Sequence, residues 1–320
     1  MRYALLRAPH PNARYHESVR GLFRIEAKLA LRSLGMDGPV EYATAGGQEF
    51  LFVHTDGPLV PEHLERFWRL SSLACIFEHK EGGFFPMMEG RAFVAEDMPA
   101  ILKYKGKTNE QFTKFLINVA DFVSGAGSTT VLDPLCGRGT TLFTAYSMGM
   151  DGLGIEADRK DVAEMVKFCK AYFQHNRAGY QYKTDSMTAQ GKQAGVRHRF
   201  LVEQGREVCV VLGDTQYAPQ FYRNRADILV ADLPYGVQHG AQNGAGALLK
   251  SCAGKWRRAV RKGGAMAISF NAYTLKRQWA VEVLQDHGLE VLQGGDWEEL
   301  QHWVEQAVLR DVVVAFVKQE

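Results

Sequence analysis

The chain has 320 residues, 46% of them apolar and 23% charged, and a formal net charge of +2. That composition fits a globular protein of one large or two smaller domains and excludes a disordered chain. It also excludes a polycation, so any surface for nucleic acid must be a local patch. No apolar run approaches the ~20 residues of a membrane span, and the opening Met1-Arg2-Tyr3-Ala4-Leu5-Leu6 lacks a signal-peptide core and reads as a strand. Cysteines at 75, 136, 169, 209 and 252 form no C-x-x-C pair. Reduced thiols in the cytoplasm are therefore expected, with no zinc or other metal site and no membrane contact.

Residues 1–100 read as a small α+β domain, with an RNA-binding or structural role. A strand at 3–7 precedes a helix at about 18–34, whose Leu22, Phe23, Ala27, Leu29 and Ala30 suit one face and which Gly35 stops. A strand follows at 49–54, then an amphipathic helix opening at Pro61 and running through Leu73. Strand, helix, strand, helix predicts a compact sandwich of ferredoxin-like type.

Residues 101–320 form the second expected domain. Residues 102–109 are a junction, and a helix over 110–123 takes Asn109 or Thr108 as its cap. Those two residues either serve only that helix or stand over a cofactor. From Thr129, apolar strands alternate with helices: strands at 130–132, 152–155, 208–212, 228–231, 265–270 and 312–317, and helices at 140–148, 159–173, 247–260 and 275–286. Alternation of this kind predicts an α/β, doubly wound, mostly parallel sheet. A polar stretch at about 174–206 is too long for an ordinary connection. Its Arg177, Lys183, Lys192, Arg197, Arg199 and Arg206, interleaved with Tyr180 and Tyr182, suit either an RNA backbone with unpaired bases or a solvated hairpin.

Four strand ends carry chemistry. The first is Asp133-Pro134-Leu135-Cys136-Gly137-Arg138-Gly139-Thr140. Gly137 and Gly139 let the backbone approach a ligand, the helix that follows offers free N–H groups to a carboxylate, and Asp133 can hold an ammonium. The pattern lacks the third glycine of G-x-G-x-x-G and the Lys of a P-loop. At the second end, Glu156, before Ala157, suits ribose hydroxyls or a helix cap, and Asp158 suits the cap of the next helix. At the third, Gly213-Asp214-Thr215, Asp214 either accepts from an adenine amino group or closes an Asx turn. Ammonium, carboxylate, ribose and adenine together describe S-adenosylmethionine.

The fourth end is Asp232-Leu233-Pro234-Tyr235, closing the run Ile228-Leu229-Val230-Ala231. An exocyclic amine is a poor nucleophile because its lone pair is delocalised into the ring. Asp232 and the carbonyl of Leu233 or Pro234 can each accept one amino hydrogen and aim that lone pair at a methyl donor. Tyr235 can stack on a base flipped out of its helix.

From about Lys107 to Lys318 the chain resembles the class I S-adenosylmethionine-dependent methyltransferases. The tetrapeptide is similar to the Asp/Asn-Pro-Pro-Tyr/Phe signature of enzymes that methylate nucleobase amines. Gly236-Val237 and the stretch Gln306-Ala307-Val308-Leu309-Arg310-Asp311 are similar to the tRNA guanine-N2 methyltransferases that often carry a THUMP domain. The resemblance implies a Rossmann-like, seven-stranded sheet, S-adenosylmethionine as cofactor and guanine N2 in tRNA or another structured RNA as target. It implies catalytic roles at Asp232, Leu233, Pro234 and Tyr235. Cofactor contacts are expected at Asp133, Pro134, Cys136, Gly137, Gly139, Thr140, Glu156, Ala157, Gly213, Asp214 and Thr215, with Thr108 and Asn109 on one reading. The first hundred residues hold one small domain, too few for a THUMP domain and its partner. RNA is then expected to be gripped differently, or through an accessory protein. The rival readings are a DNA adenine-N6 or cytosine-N4 methyltransferase, a catalytically inactive cofactor-binding protein that interacts with RNA and, weakest, a nicotinamide oxidoreductase.

Overall fold

The computed structural model describes residues 1–88, 95–104, 106–125, 127–202, 205–234 and 244–318. The N-terminal unit runs β1 (Arg2–Arg7), α1 (Ala13–Ser18), α2 (Arg20–Ser33), β2 (Val40–Ala45), β3 (Gln48–His54), α3 (Pro61–Trp68), β4 (Leu73–Lys80) and β5 (Gly83–Pro86). Its strands form an antiparallel sheet in the order β2-β3-β1-β4-β5. The β-α-β-β-α-β sequence through β4 is the ferredoxin-like arrangement, with β5 added at the edge and α1 inserted before α2. Sequence patterning passed over β2, β4 and β5, and it carried the second helix to Leu73 although α3 stops at Trp68. Leu73 instead begins β4, whose Ile76 alone is fully buried, so its alternation is too weak to mark a strand.

The second unit runs α4 (Met98–Ile101), α5 (Glu110–Val123), β6 (Thr130–Asp133), α6 (Thr140–Ser147), β7 (Asp151–Glu156), α7 (Arg159–His175), β8 (Tyr180–Ala189), β9 (Lys192–Val202), β10 (Glu207–Gly213), α8 (Ala218–Tyr222), β11 (Ala226–Asp232), α9 (Gly244–Arg257), β12 (Val260–Asn271), α10 (Arg277–Asp286), β13 (Leu289–Val291), β14 (His302–Glu305) and β15 (Val308–Val317). Its core is the doubly wound seven-stranded sheet β10-β7-β6-β11-β12-β15-β13. The first five strands are mutually parallel and β15 runs antiparallel to its neighbours. Strand order reverses between β6 and β11, the switch point where such sheets bind ligands. Among the described residues the sheet has ten strands, because β14 pairs with β15 and the hairpin β8–β9 extends the edge beyond β10.

The apolar run of β11 is unbroken because both faces are covered. Ile228 and Val230 face a core shared with Phe115, Ile117 and Val119 of α5. Leu229 and Ala231 face Leu249, Cys252 and Trp256 of α9 and Leu284 of α10. The α5-side core continues without a break into Leu22, Phe23 and Ile25 of α2 and Phe67 of α3, so the N-terminal unit packs against α5, which covers the large sheet. Glycines on β7 let α6 come close. A Cβ at Gly152 would stand 2.5 Å from the Leu142 carbonyl oxygen, and one at Gly154 would stand 2.6 Å from Cys136 Sγ. No helix among the described residues is long and apolar enough to cross a membrane.

Candidate active site

Parallel strands bring their carboxyl ends to one edge of the sheet. Asp214 follows β10, Glu156 ends β7, Asp133 ends β6 and Asp232 ends β11. These are four neighbouring strands, so at about 4.8 Å per strand the row spans roughly 14 Å. That is the reach of an extended nucleoside joined to an amino acid.

The glycine loop after β6 turns through left-handed backbone at Gly137 (φ 51°) and Gly139 (φ 91°), and Gly139 is the N-cap of α6. Space is open where a Cβ of Gly137 would stand. The Gly137 amide donates to Glu156 Oε2 at 2.8 Å, and the Asp158 amide donates to Oε1 at 2.8 Å. Glu156 therefore fastens its own strand end to the glycine loop. Asp158 caps α7 as expected, accepting from the amides of Lys160 and Asp161. Asp133 is 5% exposed and accepts from the Leu135 amide at 2.9 Å. Burial, with the nearby charges of Asp232 and Glu156, pushes its carboxyl up to about 7. Such a group gains from a neighbouring cation, and this chain's described residues fit the ammonium end of S-adenosylmethionine there. Pro134 and Cys136 are buried under the loop, and Ala157 is exposed beside Glu156.

Gly213 is half-buried at the end of β10, where Asp214 forms the Asx turn, accepting from the Gln216 amide at 2.9 Å and from Gln216 Nε2 at 3.0 Å. The turn holds Asp214 exposed at the carboxyl edge of the sheet. Thr215 lies deeper than a ligand contact requires: it is 8% exposed and accepts from the Trp256 indole N–H at 2.8 Å.

Thr108 donates to Asp232 Oδ2 at 2.7 Å, which ties the start of α5 to the end of β11. Asn109 caps α5, accepting from the amides of Gln111 and Phe112. Its side-chain oxygen is thus engaged in the helix cap. At the Asp232 end, Leu233 is buried and its amide donates to the Ser269 carbonyl at 2.8 Å, while Pro234 is exposed. Tyr235, Gly236 and Val237 lie outside the described residues.

Several residues at this edge escaped sequence reasoning. Arg310, 4% exposed at the start of β15, donates to Asp232 Oδ2 at 2.9 Å. Its guanidinium lies 4.6 Å from the Phe112 ring centroid. His302 stacks on Phe112 at 4.4 Å, and burial together with Arg310 holds its imidazole down at about 3, hence neutral. Tyr104 meets Thr140 Oγ1 at 3.0 Å and bridges the junction to the glycine loop. Tyr15 of α1 sits edge-on to His302 at 5.7 Å, so the N-terminal unit reaches the Asp232 end of the edge. The stretch containing Arg310 had stood out only as a motif, because nothing in linear order ties residue 310 to residue 232.

In the hairpin segment Arg177, Lys183 and Lys192 are exposed, while two arginines and two tyrosines are engaged within the fold. Arg197 pairs with Asp185 and Arg199 with Glu207. Tyr180 packs on Phe173 and Tyr182 on Phe200, with Lys170 over the Tyr182 ring. A cavity of about 200 Å³ lies elsewhere, on the seam between the two units, lined by Trp68, Glu96, Glu110 and Lys114 among others. It touches none of the strand-end motifs.

The sheet order, the glycine loop and the acidic row together define a class I S-adenosylmethionine-dependent methyltransferase. The family model for the RMKL-like methyltransferase domain (UPF0020) matches residues 102–290, more than half of the chain, and the chain belongs to this family. No curated protein matches it. Among solved structures it is similar to TrmN from Thermus thermophilus, with 15% identity over 87% of this chain and 59% of that one and a TM-score of 0.43. It is also similar to Trm1 from Pyrococcus horikoshii in complex with S-adenosyl-L-methionine, with 12% identity over 68% and 59% and a TM-score of 0.43. A TehB-like methyltransferase from Corynebacterium glutamicum shares 18% identity over 63% of this chain and 85% of that one, with a TM-score of 0.39.

Proposed function

We propose that the protein methylates an exocyclic amino group of a nucleobase, with guanine N2 in tRNA or another structured RNA as the target. The observation that carries this reading is the position of Asp232 at the switch point, on the strand beside Asp133. Asp133, Glu156, the glycine loop and Asp214 would hold S-adenosylmethionine by its ammonium, ribose, carboxylate and adenine. When bound, that cofactor supplies an electrophilic methyl group. Asp232 accepts one amino hydrogen of the base and a carbonyl of the Leu233-Pro234 turn accepts the other, so the nitrogen lone pair is localised and aimed. Tyr235 supplies the stacking surface for the flipped base. RNA is the partner favoured by the resemblance to the guanine-N2 group. The domain boundary we propose falls near residue 100, with residues 1–100 helping to bind the substrate.

The test is nucleoside mass spectrometry of RNA and DNA from cells with and without the protein, complemented by the wild-type chain or by Asp232→Ala. Loss of a methylguanosine from tRNA, restored by wild type and not by Asp232→Ala, is the expected result. Loss confined to methyladenine or methylcytosine in DNA transfers the assignment to DNA. Full restoration by Asp232→Ala removes that carboxylate from the mechanism.

A further inference from the structure

Asp232 is held by parts of the chain that are remote in sequence. Thr108, just before α5, and Arg310, at the head of β15, both donate to the same oxygen, Oδ2, at 2.7 and 2.9 Å. Arg310 reaches it because β15 runs antiparallel to β12, which places the start of β15 at the carboxyl edge of the sheet. That start is itself pinned. Asn271 Oδ1 accepts from the Leu309 amide at 3.3 Å, and Asn271 Nδ2 donates to the Ala307 carbonyl at 3.0 Å. The Phe112 ring supports the guanidinium. Burial is deep, with the Arg310 side chain 5% exposed and that of Asp232 15% exposed. A cation of this kind is costly to bury unless its geometry is used. A planar guanidinium bonded to a carboxylate and laid on a ring has one orientation, which a lysine ammonium does not reproduce.

We propose that Arg310 is a positioning residue for the methyl-transfer step: with Thr108 it fixes the rotation of the Asp232 carboxylate, so that the acceptor amine meets a group already oriented. This rests on the reading of Asp232 as the group that holds the amine. The device addresses orientation of the acceptor, not affinity for the cofactor, whose candidate contacts lie on β6, β7 and β10. Displacement of a positioned group by about an ångström costs on the order of 10²-fold in rate.

The experiment measures methyl transfer from radiolabelled S-adenosylmethionine to unfractionated RNA from cells lacking the protein, with cofactor binding followed by calorimetry. Arg310→Lys keeps the charge and is expected to lose about 10²-fold in turnover while cofactor affinity stays within about threefold. Arg310→Ala is expected to regain part of its turnover when millimolar guanidinium is added. Wild-type turnover in Arg310→Lys overturns the proposal. So does a loss matched by an equal loss of cofactor affinity, or an Arg310→Ala protein that binds cofactor but is not rescued. Asp232→Ala, assayed in parallel, separates the two levels. If it turns over like wild type, the reading of Asp232 fails whatever Arg310 does.

Discussion

On the proposed reading, Asp133 couples the fold to its ligand through a single side chain. Its carboxyl is pushed up to about 7 by burial and by neighbouring acids. Below the ordinary carboxylate value of about 4 the group is protonated in both folded and unfolded chains and contributes nothing. As pH rises from there, the unfolded chain loses the proton first, so stability falls, and the penalty is complete above about pH 7. A bound ammonium favours the ionised form and reverses the penalty. On that reading, calorimetry should show affinity for S-adenosylmethionine rising as pH approaches about 7 and levelling above it, and Asp133→Asn should flatten that rise. The strand-end acids were visible in linear order because each closes an apolar run. Their division of labour was not. Glu156 binds the glycine loop, Thr215 receives the Trp256 indole and Thr108 serves Asp232, and each of these contacts joins separate elements.

At the scale of elements, β7 and α6 illustrate why glycine is needed inside a strand. The space a Gly152 Cβ would take is filled by the backbone of Leu142, so Gly152→Ala forces the helix away from the sheet. A loss of about 1–3 kcal/mol is expected from overpacking, measured by urea unfolding. The β8–β9 hairpin makes the complementary point. Its composition of cations and tyrosines left open a nucleic-acid surface or a solvated hairpin. In the fold it closes a core under α7, in which Phe200 is fully buried with Phe173, Val208 and Val210. Phe200→Ala should cost about 3–5 kcal/mol, while Lys183→Ala, on the exposed edge strand, should leave stability within about 0.5 kcal/mol. An equal loss at both positions would mean that the hairpin is not held by packing. Patterning alone could not make this distinction, because strand pairing places Tyr182 opposite Phe200, eighteen positions away.

For the molecule as a whole, the seam between the two units is built like an interior. Glu26 of α2, fully buried, accepts from Ser71 and from Asn118 of α5. Asp121 of α5, also buried, accepts from Arg66 of α3 at 2.8 Å. Lys28 and Arg32 of α2 pair with Asp296, and Arg24 pairs with Glu299. Units sharing one apolar core and buried ion pairs should unfold together. A single calorimetric transition, with equal calorimetric and van't Hoff enthalpies, is expected. Asp121→Ala should lower stability by about 3–5 kcal/mol, because it leaves the largely buried Arg66 cation unpaired. Two resolved transitions would show instead that the units are independent.

The sequence by itself determined the parallel strands of the methyltransferase sheet and the acidic residues that close them. Buried parallel strands are unbroken apolar runs and their ends are marked by Asp, Gly and Pro, so both signals are local. Only the tertiary structure decided what those groups hold. Arg310 meets Asp232, α1 reaches the Asp232 end of the edge, the hairpin becomes part of a core, and the N-terminal unit joins α5 through buried charge. Each of these is a contact between residues far apart in the chain, set by strand order and direction. Linear spacing carries no record of such contacts.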